Sequence, residues 1–147
     1  MPERAEGDEF HQQVIAEFRA NGGRVGGYFT DIPLLLLITT GAKSGRLRTT
    51  PLAYLADGER YVVVAAAGGA ARNPAWYHNL VADPGVTVEV GTEVFDATAA
   101  VMTGEERDAL YERFAARSPQ LVRYQARTTR PIPVVVLDRR GDRASAP

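Results

Sequence analysis

No cysteine occurs in the 147 residues. Disulfides, thiol nucleophiles and cysteine-ligated zinc or iron–sulfur centres are therefore excluded, and the fold must stand on packing. Histidine is nearly as scarce: His11 and His78 are the two present, and neither belongs to an HExxH or similar pattern, so no metal site is expected. Ser44 is the one serine in a site-like turn, but it lies outside any GxSxG sequence, which removes the argument for acyl chemistry. Long apolar runs are missing too. The longest, Pro33 to Ile38, is too short to span a membrane and follows no basic region of the secretory kind. A soluble, cytoplasmic chain is expected, with room left for weak peripheral membrane contact. Neither sign of charge dominates: 17 basic against 18 acidic residues give a formal charge of -1, so nothing global argues for a nucleic-acid partner.

What is present is unevenly spread. Residues 40–80 hold five basic and two acidic side chains, residues 81–112 hold one and eight, and residues 113–147 hold eight and two. A fold that brings the two basic blocks together would focus an anionic ligand between them. Lysine occurs once, as Lys43, and tryptophan once, as Trp76. The length suits one domain over residues 1–147, with flexible termini at about 1–7 and 139–147.

Periodicity predicts the elements. Phe10, Val14, Ile15 and Phe18 form a helical apolar stripe between Asp8 and Ala20, stopped by Asn21-Gly22-Gly23. Leu34 to Thr40 reads as a buried strand ending in the turn Gly41 to Gly45. Thr49–Leu55 and Arg60–Ala66 flank Asp57-Gly58, a strong hairpin signal that predicts two antiparallel neighbours. Asn73-Pro74 predicts a helix start, with asparagine as cap, and the helix ends before Pro84. Val86–Val90 and Glu93–Val101 flank Gly91-Thr92 as a further hairpin. Thr103 and Glu106 match a capping box before a helix carrying Leu110, Tyr111 and Phe114. A short helix follows over Pro119 to Ala126, and Ile132 to Leu137 reads as a last strand before a tail from Asp138. About six strands and about three helices with hairpin connections predict an α+β fold, mainly antiparallel.

Two loops carry chemistry. Gly41-Ala42-Lys43-Ser44-Gly45 offers an ammonium, a hydroxyl and backbone N–H groups, with Arg46 and Arg48 beside it, and is suited to phosphate or carboxylate. It is not a Walker loop, because Ala42 and Leu37 stand where glycines would be needed. Its bland alternative is an exposed hairpin connection. The second loop runs Ala65-Ala66-Ala67-Gly68-Gly69 and then Arg72-Asn73-Pro74-Ala75-Trp76-Tyr77. Small residues there permit close approach of a flat ligand, and the helix start favours its polar edge. A tight connection over a buried Trp76 satisfies the same residues. Tyr124, among Arg123, Arg127 and Arg130, can either close a pocket or simply pack its ring.

The run Leu37 to Leu52, LITTGAKSGRLRTTPL, and the run Gly68 to Pro84, GGAARNPAWYHNLVADP, resemble the deazaflavin-dependent nitroreductase family, also described as deazaflavin-dependent quinone reductases. The resemblance covers about 120 residues, from the first helix to the last strand. It implies a split β-barrel that binds reduced coenzyme F420, an 8-hydroxy-5-deazaflavin with a phosphate-linked acidic tail. By the same resemblance Lys43, Ser44, Gly45, Arg46 and Arg48 lie by the phosphate or tail. Ala66, Ala67, Gly68, Gly69 and Trp76 line the ring region, at the segment that includes Asn73 and Pro74. Where nitroimidazole-activating members have tyrosines, Ser118 and Leu121 stand here, and Tyr124 keeps its aromatic character. The implied reaction is hydride transfer to a quinone or related electron-poor acceptor, with Tyr124 as proton donor or substrate orienter. An FMN-dependent oxidoreductase and a non-enzymatic deazaflavin carrier are the alternatives, and the chain is either a monomer or a homodimer.

Overall fold

The computed structural model describes residues 2–142. Helix α1 spans Pro2–Ala20, and strands β1 (Leu34–Thr40), β2 (Leu47–Ala53), β3 (Leu55–Asp57) and β4 (Arg60–Val64) follow. Next come α2 (Ala75–Ala82), β5 (Gly85–Val90), β6 (Glu93–Val101), α3 (Gly104–Arg117), α4 (Pro119–Ala126) and β7 (Val134–Asp142). The class is α+β, and the seven strands form one antiparallel sheet in the order β2-β1-β5-β6-β7-β4-β3.

The sheet is not closed into a barrel, because no ladder joins its edges β2 and β3. A seventh strand also appears where one strand was expected over Thr49–Leu55. The chain breaks at Tyr54, whose N–H donates to the Pro33 carbonyl at 3.2 Å. Residues before the break pair with β1 rather than β4, and only Leu55–Asp57 forms the expected hairpin with Arg60–Val62. One residue thus separates the two edges, so the sheet must curl to bring both to one corner. Pro51 fits β2 because an edge strand can spare an N–H.

Curling gives the sheet a full inner face. Leu35, Leu37, Val63, Val88, Phe95, Val135 and Leu137 meet there, and α2 closes one end with Trp76 and Leu80. The outer face of β1, Leu34 and Leu36, is covered by Val14, Ile15 and Phe18 of α1. Burial on both sides explains why β1 is an unbroken apolar run instead of an alternating one. Leu110, Phe114 and Leu121 of α3 and α4 cover Val62, Val134 and Val136 from outside. Each such leucine stabilises by about 1.5–3 kcal/mol relative to exposure.

Several boundaries differ from the sequence reading. Helix α1 begins at Pro2 rather than near Asp8, and Phe10 stays half exposed, packed 5.9 Å from the Phe29 ring. Residues 139–142, expected as tail, extend β7 and pair with Phe95 to Ala97; residues 143–147 lie outside the described span. Thr103 caps α3 by position but makes no side-chain bond, so the capping box with Glu106 is not formed; Glu106 instead stands 3.6 Å from Arg60. No helix among the described residues is long and apolar enough to cross a membrane.

Candidate active site

The β1–β2 turn satisfies its own backbone. Gly41 and Arg46 share an N–H to carbonyl bond of 2.8 Å, and Gly45 donates back to Gly41 at 2.9 Å. Ser44 Oγ accepts the Arg46 N–H at 3.1 Å, while Gly45 takes a left-handed φ of 71°. The side chains of Lys43, Arg46 and Arg48 are left exposed and, among the described residues, have no acidic partner. Arg19, Arg60, Arg113 and Arg139, by contrast, all hold carboxylates within 4 Å.

A residue that sequence reasoning missed ties this turn to the rest. Asn79, buried on α2, accepts the Ala42 N–H at 2.9 Å and donates to Thr39 Oγ1 at 3.2 Å. Register extends the link: Arg48, Thr50 and Leu52 oppose Thr39, Leu37 and Leu35, so they share the inner face of the sheet. The basic turn is therefore continuous with the row that carries Thr50 and Leu52.

Those two residues border a cleft of about 970 Å³. One wall is the paired edge segment Thr50 to Leu55, and its base carries Ala66, Ala67, Gly68, Pro74 and Trp76. Opposite stand the α3–α4 corner residues Phe114, Arg117, Ser118, Leu121, Arg123 and Tyr124, and one end is closed by Phe29 to Pro33 with His11. The lining is mostly apolar and aromatic, as for a flat organic ligand. Tyr54 contributes a phenol whose pKa is raised by burial and by its neighbour Tyr61, so it stays protonated. The Tyr124 phenol makes no hydrogen bond among the described residues, and Arg127 stands 5.8 Å from its ring centroid. A smaller hollow of about 290 Å³, between Thr40, Leu47, Thr87 and Arg140, holds none of the expected site residues.

Of the expected residues, Ala66, Ala67, Gly68, Pro74, Trp76 and Tyr124 line the cleft. Lys43, Ser44, Gly45 and Arg46 lie outside it on the adjoining turn, as does Arg48 at the start of β2. Gly69 lies behind the surface: it is buried, and an added Cβ would meet the Tyr124 carbonyl at 2.6 Å and Arg127 Cβ at 2.9 Å. Asn73 is not the cap of α2. That position belongs to Pro74, with no side-chain bond, and Asn73 Oδ1 accepts from Arg130 at 2.7 Å. A charged guanidinium makes the stronger partner, which is why the amide turns away from the helix. Among the described residues no group of three or more histidine, cysteine or carboxylate side chains is arranged to hold a metal.

Comparison with known proteins gives the family. The family model for F420H2-dependent quinone reductases matches residues 10–139. An F420H2-dependent quinone reductase of Mycobacterium tuberculosis is 44% identical over 131 residues, covering 85% of this chain and 87% of the relative. The solved F420H2-dependent reductase FDR-A superposes with a TM-score of 0.67 at 39% identity, over 72% of this chain and 94% of that one. A solved domain-swapped dimer matches with a TM-score of 0.69 at 35% identity, over 90% and 99% of the two chains. With a model match spanning nearly all of its ordered elements and relatives this similar, the chain belongs to the F420H2-dependent quinone reductase family.

Proposed function

We propose that this chain transfers a hydride from reduced coenzyme F420 to a quinone or a related electron-poor acceptor. The observation that carries the reading is the continuity between a large apolar cleft and a basic turn whose cations have no acidic partner among the described residues. A planar ring with a long acidic tail needs both, joined. The donor set fits such a cofactor, because Lys43, Arg46 and Arg48 have no carboxylate partner among the described residues and Gly68 leaves open space where a Cβ would stand.

In this reading Lys43, Arg46 and Arg48 hold the tail, with Ser44 and the Gly45 backbone beside them. Ala66, Ala67, Gly68 and Pro74 form the bed for the ring, Trp76 walls it, and Gly69 and Asn73 fix the bed from behind. Bound there, the cofactor supplies the hydride. The chain excludes water through the apolar lining and holds the acceptor against the bed with the α3–α4 corner. Tyr124 then directs a phenolic proton to the acceptor oxygen as negative charge develops there. Ser118 and Leu121, in place of tyrosines, leave this corner wider and less polar, which suits a quinone better than a nitroimidazole.

Anaerobic spectral titration with reduced F420, followed by addition of a quinone, tests the reading. Saturable binding and then reoxidation of the cofactor is expected. Binding without reoxidation across a panel of quinones would make the chain a carrier. Stoichiometric FMN in the purified protein, with no deazaflavin binding, would replace the cofactor.

A further inference from the structure

Arg130 lies outside every element and outside the cleft lining, yet it makes the densest set of side-chain bonds among the described residues. Its Nε donates to the Ala70 carbonyl at 2.9 Å. One terminal nitrogen reaches the Ala65 carbonyl at 3.1 Å and Asn73 Oδ1 at 2.7 Å. The other reaches the Ala66 carbonyl at 2.8 Å. The planar fork thus grips residues 65 and 66 on one side of the glycine pair and residues 70 and 73 on the other. Its own backbone is held in turn, since Gln125 Nε2 donates to the Arg130 carbonyl at 2.8 Å and Gln125 Oε1 accepts the Ile132 N–H at 3.0 Å.

The segment inside the grip is strained. Ala67 has φ 48°, the one positive value at a non-glycine position among the described residues, and Gly68 and Gly69 follow at 64° and 82°. Ala66, with φ -77° and ψ -38°, is right-handed. A right-handed residue followed by a left-handed one turns successive N–H groups toward a common point, the arrangement that binds anions. Among the described residues the N–H groups of Ala66, Ala67 and Gly68 find no acceptor, whereas those of Gly69 and Ala70 bond to Ala66 and Ala67. In a trans peptide the N–H points opposite to its carbonyl. With the Ala65 and Ala66 carbonyls turned onto Arg130, the Ala66 and Ala67 N–H groups face the other way, and both residues line the cleft while Arg130 does not.

We propose that Arg130 is a positioning residue: it holds Ala67 in its left-handed state so that the N–H groups of Ala66, Ala67 and Gly68 form a receptor for a negatively charged oxygen or ring nitrogen of the cleft's ligand. The inference rests on the proposed binding of reduced F420. Its first readout does not, because the receptor belongs to the free protein. Lysine cannot replace the grip, for one ammonium cannot span acceptors on both sides of the loop.

The test uses the full chain, its Arg130→Lys variant and the double variant Arg130→Lys with Ala67→Gly. In the free proteins, amide NMR should show the Ala66, Ala67 and Gly68 signals displaced by Arg130→Lys, with the remaining spectrum intact. Unmoved signals would overturn the grip whatever the cofactor proves to be. Titration of the wild type with reduced F420 should move the same three amides; an absence of binding there sinks the functional reading, not the grip. In Arg130→Lys the dissociation constant and the KM for reduced F420 should rise roughly tenfold to a hundredfold, with the quinone KM unchanged. Ala67→Gly, which removes the left-handed penalty, should recover several-fold of that loss. Wild-type affinity in Arg130→Lys, amides that stay unmoved while the ligand binds saturably, or a double variant no better than the single one would each overturn the proposal.

Discussion

The β1–β2 turn and the loop from Ala65 to Asn73 border one cleft but present opposite chemistries. The first has its backbone satisfied within the turn and by Asn79, and offers side chains, namely Lys43 and Arg46 with Arg48 at the start of β2, which have no acidic partner among the described residues. The second has few side chains to offer; Arg130 takes its Ala65, Ala66 and Ala70 carbonyls, and the N–H groups of Ala66, Ala67 and Gly68 find no acceptor among the described residues. On the proposed reading the two loops are two ways of recognising negative charge. Mobile exposed cations suit a flexible tail at the solvent edge, whereas fixed backbone donors suit a rigid ring at the base. Substitutions in the second loop should therefore act through fold and orientation, and those in the first through charge and salt.

The sharpest break of that contrast is within the glycine pair. Gly69→Ala places a Cβ 2.6 Å from the Tyr124 carbonyl at a φ of 82°, so it should cost about 3 kcal/mol or more and loosen α4. Gly68→Ala, with nothing within 4 Å, should cost about 1 kcal/mol from backbone strain alone. Denaturant unfolding of both variants checks this, and equal losses would refute the claim that only one glycine is a packing site. Next in size, Tyr124→Phe should lower kcat for quinone by roughly a hundredfold with unchanged cofactor affinity; wild-type turnover would remove the phenol from the reaction.

Smaller effects belong to the basic turn. Lys43→Ala and Arg48→Ala should each weaken reduced-F420 binding by a few-fold, and the loss should shrink as added salt screens exposed charges beyond about 8 Å. A salt-independent loss would mean that the turn acts by shape. The smallest effect belongs to the β3–β4 hairpin, where arginines are already paired. Asp57 has its pKa lowered by hydrogen bonds from Arg113 and then Arg60. A folded-state pKa below the unfolded value near 4 stabilises above that pH and ceases to do so as pH falls through the lower value. Asp57→Asn should thus lower stability by about 1 kcal/mol or less at neutral pH. Thermal unfolding against pH should show the deficit vanish in acid.

Much of this was legible beforehand where the signal was local. Leu34–Thr40, Glu93–Val101 and Pro119–Ala126 match the elements foreseen for them, because their signals are local: an apolar run in the first, the Gly91-Thr92 turn just before the second and the leading proline of the third. The two loops were legible as chemistry, since glycines and cations announce themselves. Long-range competition was not. Tyr54 splits a continuous strand signal because Pro33, twenty-one positions earlier, takes its N–H. Asn73 abandons a favourable cap for Arg130, 57 positions later. Asn79 reads as one more polar residue on a helix until the fold sets Thr39 and Ala42 against it. In each case the deciding partner is distant, and no window of sequence contains both.

Because the sheet stops short of sealing, its outermost strand carries unpaired peptide groups that would otherwise invite a neighbouring polypeptide. Pro51 removes one such donor from that rim. The same margin forms a wall of the ligand groove, so an occupant shields it further. The opening in the architecture thus coincides with the cleft, and Pro51 withholds one donor from its rim.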